Sequence, residues 1–377
     1  MIYLKNIEMQ NIAILKEPEN ESRVCLIPDT VKRITTTLNT EVWVEHNAGV
    51  KSGFTDEQYR EAGAQIGDAK TVFKSANTLL SINHWYNGEI LNGEKNFVGI
   101  YNMLFHRKRL EFYKKPDISV FSLDMVPRTT KAQSMDVLSS MASLSGYKAM
   151  IKAAEVYGSV IPMFTTAAGT LRPATVLVLG AGVAGLQAIA TAKRLGAVVE
   201  AFDVRTAAGE EVRSLGAKFV EVEGATENKS AGGYAVEQSE EYLKKQKELL
   251  NKHIANAAIV ISTANIPGRK APLLIDQETV ERMKPGSVIV DLASEQGGNC
   301  ALTQDEKIIM HKGVKIIGNS YLTKEMPFAS AQMLSNNYFS FLKHVNGLNG
   351  DAATDPILNG CKIIDNGKLV HQMFLNN

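Results

Sequence analysis

The sequence predicts an α/β protein made of two Rossmann-like, doubly wound parallel-sheet domains that are joined by long helices. Three observations support this fold class. Short β-branched runs alternate with helical stretches through both halves of the chain, a pattern typical of parallel sheets. A glycine-rich turn, "GAGVAG" at 180–185, follows one such run and precedes a helical stretch. The chain has 377 residues, more than one hydrophobic core usually supports.

The half that contains the glycine-rich turn shows six strand-like runs. They are "TVLVLG" (175–180), "VVEAFD" (198–203), "KFVEV" (218–222), "AAIVIST" (257–263), "SVIVDLA" (287–293) and "VKIIGN" (314–319). Helical stretches such as Val183 to Leu195 and Gln277 to Met283 lie between several of them. Because crossovers between parallel strands are right-handed, few topologies fit this order.

The first 125 residues alternate in the same way but contain no glycine fingerprint, so we assign them no nucleotide. Their strand-like runs are "NIAILKE" (11–17), "EVWVEHN" (41–47), "TLLSI" (78–82), "FVGIYN" (97–102) and "ISVFSLD" (118–124). A helical stretch from Asp56 to Ala62 lies among them. This half is therefore predicted to be a second α/β domain.

Two long helical stretches connect the predicted domains. The segment from Ser134 to Tyr157 is free of proline and serves as one connector. After residue 325, an apolar stripe of Met333, Phe339 and Leu342 predicts a helix that packs back on the first domain. We therefore expect an N-terminal domain of residues 1–133 plus 326–377, and a nucleotide-binding domain of residues 134–325.

Composition excludes several classes of function. Lys and Arg total 41 against 40 Asp and Glu, a net charge of +1, so bulk charge gives no reason to expect a nucleic-acid partner. Cys25, Cys300 and Cys361 show no CxxC spacing, and the seven histidines form no HExxH pattern. We expect no metal, no disulfide framework and a reducing compartment.

One uncharged run, from Pro173 to Ala192, is long enough to span a membrane. Its β-rich start and its glycine-rich turn favour a buried strand followed by a buried helix instead. The N-terminus is a poor secretory signal because Lys5 and Glu8 interrupt any apolar core. We expect a soluble chain with no membrane span of its own.

The glycine-rich turn predicts a dinucleotide site. Gly180 permits a tight turn, Gly182 lets a pyrophosphate approach the backbone, and Gly185 lets the helix pack close to the strand. The helix that begins here, with Val183 and Ala184 in its first turn, offers N–H groups and a positive dipole end to the phosphates. The alternative is a Rossmann-like turn that binds nothing.

Asp203 closes the second strand of this half and is expected to accept hydrogen bonds from the adenosine ribose hydroxyls. A carboxylate there repels a 2′-phosphate, so we predict NAD(H) rather than NADP(H). Arg205 is the competing basic group. The predicted cofactor-binding set also takes in Val204 and Arg205 beside the carboxylate.

Ligands of such sheets bind beyond the carboxyl ends of the strands, which selects Thr263, Ala264 and Asn265 after the fourth strand of this half. Ordinary loop residues are the alternative for all three. Tyr234 follows two glycines in a loop between the third and fourth strands, where an aromatic side chain can close over a bound ligand. A solvated loop is the alternative there.

The segment "VPRTTKAQSMDVLSS" (126–140) places Arg128, Gln133, Asp136 and Ser139 among small and polar residues. On a helix, Gln133, Asp136 and Ser139 are spaced by three and share a face. The set contains hydrogen-bonding groups but no histidine or lysine that moves a proton easily. The alternative is a polar helix N-terminus in which Asp136 or Ser134 is a capping residue.

These motifs resemble the soluble NAD(H)-binding component, domain I, of proton-translocating NAD(P) transhydrogenases, a family related to alanine dehydrogenase. The resemblance covers nearly the whole chain. Its segments are "SRVCLIP" (22–28), "KSGFTDEQY" (51–59), "DMVPRTTKAQSMDVLSS" (124–140), "GAGVAGLQAIATAKRLGA" (180–197), "AGGYA" (231–235), "PGSVIVDLASEQGGNC" (285–300) and "ASAQMLSNN". The pattern "RxxxAQSMDxLSS" is far more specific than any GxGxxG.

The resemblance implies roles for the polar segment. Arg128, Gln133, Asp136 and Ser139 are implied to hold the nicotinamide carboxamide and the neighbouring ribose and phosphate. Tyr234 matches the tyrosine of a mobile loop that closes on bound nucleotide.

The departures from alanine dehydrogenase point the same way. Those enzymes use a lysine and a histidine for substrate binding and proton transfer, and the matching positions here fall on Ser81 and Met103. His84 and His106 are near but out of register. Arg23 matches the arginine that grips the substrate carboxylate, but it lacks these partners, so we interpret it as structural or vestigial.

Hydride transfer between two nicotinamides needs no general base, whereas oxidation of an amino acid does. The resemblance implies a homodimer that binds NAD(H), with NADP(H) on a partner subunit and an integral membrane subunit that channels protons. The chain is then cytoplasmic and peripheral to the inner membrane through those subunits. The alternatives are an alanine-dehydrogenase-like oxidoreductase and a non-catalytic NAD-binding sensor.

Overall fold

The computed structural model describes residues 11–83, 94–222, 240–266, 268–348, 352 and 354–375. It divides into two compact units, one formed by Met1–Met141 with Lys324–Asn377 and the other by Ala142–Thr323. The boundaries predicted from the sequence are 133/134 and 325/326. The first structural boundary falls inside a continuous helix, a place that composition does not mark.

The described part of the chain alternates strands and helices throughout. In chain order the strands are β1 (Asn11–Ile14), β2 (Glu41–Glu45), β3 (Gln65–Gly67), β4 (Thr78–Leu80), β5 (Lys95–Gly99), β6 (Ile118–Ser122), β7 (Phe164–Thr166), β8 (Gly169–Leu171), β9 (Thr175–Leu179), β10 (Val198–Phe202), β11 (Lys218–Phe219), β12 (Ile259–Ser262), β13 (Val288–Asp291), β14 (Lys307–His311), β15 (Val314–Gly318), β16 (Lys362–Asp365) and β17 (Lys368–Leu369). The helices are α1 (Pro28–Thr37), α2 (Asp56–Glu61), α3 (Ala69–Ser75), α4 (Leu110–Tyr113), α5 (Val137–Val156), α6 (Val183–Arg194), α7 (Ala208–Ser214), α8 (Glu240–Asn256), α9 (Gln277–Glu281), α10 (Pro327–Asn346), α11 (Pro356–Cys361) and α12 (Gln372–Leu375).

The first unit is built on an eight-stranded sheet in the order β17-β16-β6-β5-β4-β1-β2-β3. The strands from β6 to β3 are parallel, and β16 joins them antiparallel at one edge. β4 and β6 are buried along their whole length, as parallel strands covered on both faces are. The C-terminal segment thus completes the first unit's sheet.

The second unit is built on a seven-stranded sheet in the order β11-β10-β9-β12-β13-β15-β14, parallel except for β14. The chain enters at β9, builds β10 and β11 on one side, and then crosses to β12 on the other. β9 and β12 therefore flank the point where the strand order reverses. Ligands of doubly wound sheets bind there, beyond the carboxyl ends of the strands.

The α/β class with parallel sheets is confirmed, and so is the interpretation of the uncharged run. Residues 173–192 contain β9, the glycine-rich turn and most of α6. Among the helices of the described ranges, none is both long enough and apolar enough to cross a membrane.

Two expectations about helices are wrong. The segment around Gln133 is not one regular helix, because a 3₁₀ helix spans Thr130–Met135 and the chain leaves helical geometry at Asp136 (φ −74°, ψ 88°) before α5. Gln133, Asp136 and Ser139 thus do not share a face of one α-helix. On α10, Phe339 and Leu342 are buried, but Met333 is 41% exposed. Buried Leu334 and Tyr338 continue the stripe instead.

Candidate functional site

The turn between β9 and α6 is the centre of the candidate site. Gly180 has φ +98°, and a Cβ there would lie 2.6 Å from Oγ1 of Thr263. A Cβ at Gly185 would overlap the carbonyl oxygen of Gly180. Around a Cβ at Gly182, by contrast, no atom of the described chain lies within 4 Å. Two glycines therefore serve close packing of the turn, and the third leaves open space before the helix.

The N-terminus of α6 faces that open space. Gly182 is the N-cap and carries no side chain to accept from the first turn of the helix. The first N–H groups of any helix have no intrahelical partner, and the helix dipole makes this end positive. Val183 is exposed and Ala184 half-buried, so the backbone here is accessible. The geometry is that of an anion-binding site.

α5 supports this turn through a contact that sequence reasoning missed. A Cβ at Gly146 would overlap the carbonyl oxygen of Ala184. The two helices therefore approach backbone to backbone, and only glycine fits at that position of α5. A glycine inside a helix-compatible segment was the available signal.

Asp203 follows β10 directly and accepts four hydrogen bonds. Its Oδ1 accepts from the backbone N–H of Arg205 at 2.8 Å and from Arg205 Nε at 2.9 Å. Its Oδ2 accepts from the N–H of Ala181 at 2.8 Å and from Arg205 Nη2 at 2.9 Å. Burial acts to raise the pKa of this carboxyl, but the bonds from Arg205 and Ala181 outweigh it and hold the pKa below its usual value.

The loop after β12 closes the other side of the turn. The N–H of Thr263 donates to the carbonyl of Leu179 at 2.8 Å, and its Oγ1 donates to the carbonyl of Gly180 at 3.0 Å. Ala264 is half-buried and Asn265 is exposed. The structure therefore brings Thr263 to the glycine-rich turn. Val204 is exposed beside Asp203, while Tyr234 lies outside the described residues.

A buried polar network under this loop also went unpredicted. Nδ2 of Asn299 donates to the carbonyls of Ala264 and Pro272, both at 2.8 Å, and its Oδ1 accepts from Ser262 Oγ at 2.6 Å. The N–H of Asn299 donates to Asp291 Oδ2 at 2.7 Å. The signal was the presence of Ser262 and Asp291 at the ends of apolar strands.

In the first unit, the predicted polar segment forms a capped helix start. The Asp136 carboxylate accepts from the N–H of Ser139 at 2.8 Å and from Ser139 Oγ at 2.6 Å. Asp136 is thus a capping residue at the start of α5, which confirms the alternative interpretation of the segment. Arg128 and Gln133 are exposed. Capping fixes the Asp136 carboxylate, and it leaves acceptor capacity on both oxygens.

The two positions where alanine dehydrogenases carry lysine and histidine lie in the core of the first unit. Oγ of Ser81 lies 3.3 Å from the hydroxyl of Tyr101, and the Ser81 carbonyl accepts from the hydroxyl of Tyr338. Met103 is buried in an apolar cluster. His106 is half-buried, and His84 lies outside the described residues.

Arg23, the third such position, is held by the chain's own carboxylate. Nε and Nη2 of Arg23 each donate to Glu21 at 2.7 Å, and Nδ2 of Asn83 donates to the same carboxylate at 2.6 Å. Glu17 lies beside them and accepts from the N–H groups of Ile82 and Asn83. Burial raises the pKa of Glu17 to about 8. The Arg23 guanidinium therefore has an internal counter-ion.

Comparison with known proteins agrees with this geometry. The family model described as alanine dehydrogenase/PNT, N-terminal domain, matches residues 13–145, and the model for the C-terminal domain matches residues 149–372. The chain is 42% identical over 378 residues to an NAD(P) transhydrogenase subunit alpha polypeptide of Rhodospirillum rubrum, covering 96% of this chain and 97% of the relative. It is 26% identical over 324 residues to alanine dehydrogenase 1 of Staphylococcus aureus, covering 80% of each.

Solved structures give the same order of similarity. The transhydrogenase from Sinorhizobium meliloti has a TM-score of 0.86 at 38% identity, covering 96% of this chain and 100% of that one. An L-alanine dehydrogenase has a TM-score of 0.80 at 23% identity, covering 97% and 98%, and shows a shared fold. From these similarities and from the dinucleotide-type turn, this chain belongs to the alanine dehydrogenase/PNT family and, within it, to the NAD(P) transhydrogenase alpha subunits.

Proposed function

We propose that the chain is the NAD(H)-binding subunit of a proton-translocating NAD(P) transhydrogenase, and that it passes hydride between NADH and an NADP⁺ held by a partner subunit. The observation that carries the proposal is the open helix N-terminus at Gly182 beside the Asp203 carboxylate. A helix start and an acidic strand end at a switch point are what a dinucleotide requires.

The pyrophosphate is proposed to bind at the N–H groups of Gly182, Val183 and Ala184. The adenosine ribose is assigned to Asp203, with Val204 and Arg205 beside it. Thr263, Ala264 and Asn265 are proposed to line the same site, and Tyr234 is proposed to close over it. Bound NADH supplies the hydride, so this chain's residues need only bind, orient and exclude water.

Arg128, Gln133, Asp136 and Ser139 are proposed to orient the nicotinamide end. Their side-chain types support this role, because an amide, a hydroxyl and a carboxylate orient a ring without taking part in proton transfer. Exposure of Arg128 and Gln133, and the fixed carboxylate of Asp136, are consistent with contact to a ligand.

The absence of amino-acid chemistry is the second element of the proposal. Ser81 and Met103 carry no group that titrates near neutral pH, and Glu21 neutralises Arg23. We propose that the chain does not oxidise alanine. Purified chain with alanine and NAD⁺ is expected to give no rise in NADH absorbance. Sustained turnover would make the chain an alanine-dehydrogenase-like enzyme instead.

A homodimer is proposed, together with an NADP(H)-binding subunit and an integral membrane subunit that channels protons. The β7–β8 hairpin is the surface that best fits a second copy of the chain, because its strands are fully exposed. Met163, Phe164 and Leu171 expose apolar side chains there. The proposed location is cytoplasmic, peripheral to the inner membrane through the partner subunits.

The deciding experiment mixes the purified chain and its NADP-binding partner with NADH and a thionicotinamide analogue of NADP⁺, whose reduced form absorbs apart from NADH. Hydride transfer is expected only when both proteins are present. If the competent partner and the chain bind their nucleotides but no transfer occurs, the chain is a nucleotide-binding sensor, and the proposal fails.

A further inference from the structure

The acceptor capacity of Asp203 is fully used within the protein. A carboxylate offers about four lone-pair sites, and Asp203 accepts four hydrogen bonds, three of them from Arg205. Ribose hydroxyls also need acceptors on this carboxylate. They can bind in full only if bonds from the guanidinium are released.

The two partners of this ion pair are held very differently. The Asp203 side chain is 7% exposed, and the N–H of Ala181 holds it against the glycine-rich turn. The Arg205 side chain is 38% exposed. The charge of Glu211 on α7 also favours the charged form of Arg205. Asp203 is therefore the fixed member of the pair, and the guanidinium is the member that can move away into solvent.

Arg205 also changes what the site presents to a 2′-phosphate. An isolated carboxylate repels a phosphate, but a carboxylate paired through two guanidinium nitrogens carries no net charge with its partner. Once released, a guanidinium is a good bidentate ligand for phosphate. Discrimination against NADP(H) is thus weaker than Asp203 alone would give.

We propose that Arg205 is a specificity-determining residue. It occupies the ribose-binding carboxylate as an internal competitor, and it lowers the preference for NAD(H) over NADP(H) by masking the charge of Asp203. The inference rests on the proposed binding of NAD(H) at this site.

The test is Arg205→Gln in the full chain, with the Kd of NADH and of NADPH measured by calorimetric titration. The ratio Kd(NADPH)/Kd(NADH) is expected to rise about ten-fold, because an unmasked carboxylate then faces the 2′-phosphate. NADH itself is expected to bind as tightly as to the wild type, or more tightly. Arg205→Lys keeps the charge and loses the fork, so its ratio is expected to stay near the wild-type value.

Arg213→Gln is the matched control, since Arg213 is paired with Glu221 in the same unit and its loss changes the net charge equally. It is expected to leave the ratio unchanged, and an equal effect of this variant would mean a long-range charge effect and overturn the inference. Equal weakening of both nucleotides by Arg205→Gln would overturn it too, because Arg205 would then only position Asp203. A wild-type chain that binds no NADH refutes the proposed function as well, whereas normal NADH binding with an unaltered ratio refutes this inference alone.

Discussion

At the scale of single residues, two buried carboxyl groups have their pKa values shifted in opposite directions. Asp203 has four donors, which hold its pKa low despite burial. Glu17 has two backbone donors but is more deeply buried, and burial together with the charge of Glu21 raises its pKa to about 8. The first group stays ionised and can bind a ligand, while the second is neutral near pH 7.

Asp203→Asn is expected to weaken NADH binding about ten-fold or more, because the hydroxyls lose a charged acceptor. The same change is expected to relax discrimination against NADPH, since an amide does not repel a 2′-phosphate. Titration of both nucleotides checks this. If the variant binds both as the wild type does, the ribose contact is assigned to the wrong residue.

Glu17→Gln is expected to flatten the dependence of stability on pH. Because the folded-state pKa of Glu17, about 8, lies above the reference value of 4.5, the neutral form is favoured by folding. Its contribution to stability is complete below about pH 4.5 and is lost as the pH rises through about 8. The variant, measured against wild type by urea unfolding, should therefore gain in relative stability between about pH 5.5 and about pH 8.5.

The groups that act on Glu17 are Glu21 and Arg23, and both remain in that variant. Glu57→Gln, an exposed change on α2, is the control and is expected to leave the pH dependence as in wild type. A stability difference between Glu17→Gln and wild type that stays constant with pH would show that Glu17 is ionised in the folded protein throughout.

At the scale of elements, the β9 turn works because helices meet it at fixed distances. α6 can begin at Val183 only because Gly180 takes a positive φ and Gly185 carries no side chain. α5 can support α6 only because Gly146 leaves room for the carbonyl of Ala184. The anion site is therefore a property of three packed elements rather than of the glycine fingerprint alone.

Gly146→Ala is expected to destabilise the protein by about 1–3 kcal/mol and to weaken NADH binding, because a new methyl group pushes α6 away from its position. Gly158→Ala is the matched control, since within the described chain a Cβ at Gly158 has no atom within 4 Å. That control is expected to change stability by less than about 0.5 kcal/mol. Urea unfolding and NADH titration measure both variants, and equal behaviour would exclude the proposed close approach.

Elements whose pattern is local were predicted from sequence, and elements that depend on packing were not. The strands from β9 to β13 were predicted because buried parallel strands are continuous β-branched runs. The hairpin β7–β8 was missed because it is exposed on both strands and has no apolar periodicity. The break at Asp136 was missed because spacing alone does not distinguish a 3₁₀ helix that ends in a cap from a continuous α-helix.

At the scale of the whole molecule, the C-terminal segment returns to the first unit and adds β16 to its sheet. The return is mediated by α10, whose buried face belongs to the first unit's core. The proposed transhydrogenase reaction also belongs to this scale, because it requires NADP(H) on another subunit. A prediction about hydride transfer must therefore be tested with the partner present.

Gln133→Asn is expected to leave NADH affinity and thermal stability near wild type, because Gln133 is exposed on a short 3₁₀ helix. Hydride transfer to saturating partner is expected to slow by about ten-fold, since the shorter amide no longer holds the ring at the reacting distance. Stopped-flow measurement of the mixed proteins checks the rate. An unchanged rate would remove Gln133 from the proposed site.

The amino-acid sequence by itself determined the α/β class, the dinucleotide turn at 180–185 and the acidic residue at the end of β10, because alternation, glycine spacing and chain order are local properties. Only the tertiary structure decided that Arg205 covers Asp203, that Glu21 neutralises Arg23 and that Gly146 faces Ala184. These depend on which atoms come within hydrogen-bond or van der Waals distance after folding. No spacing rule along the chain specifies such distances.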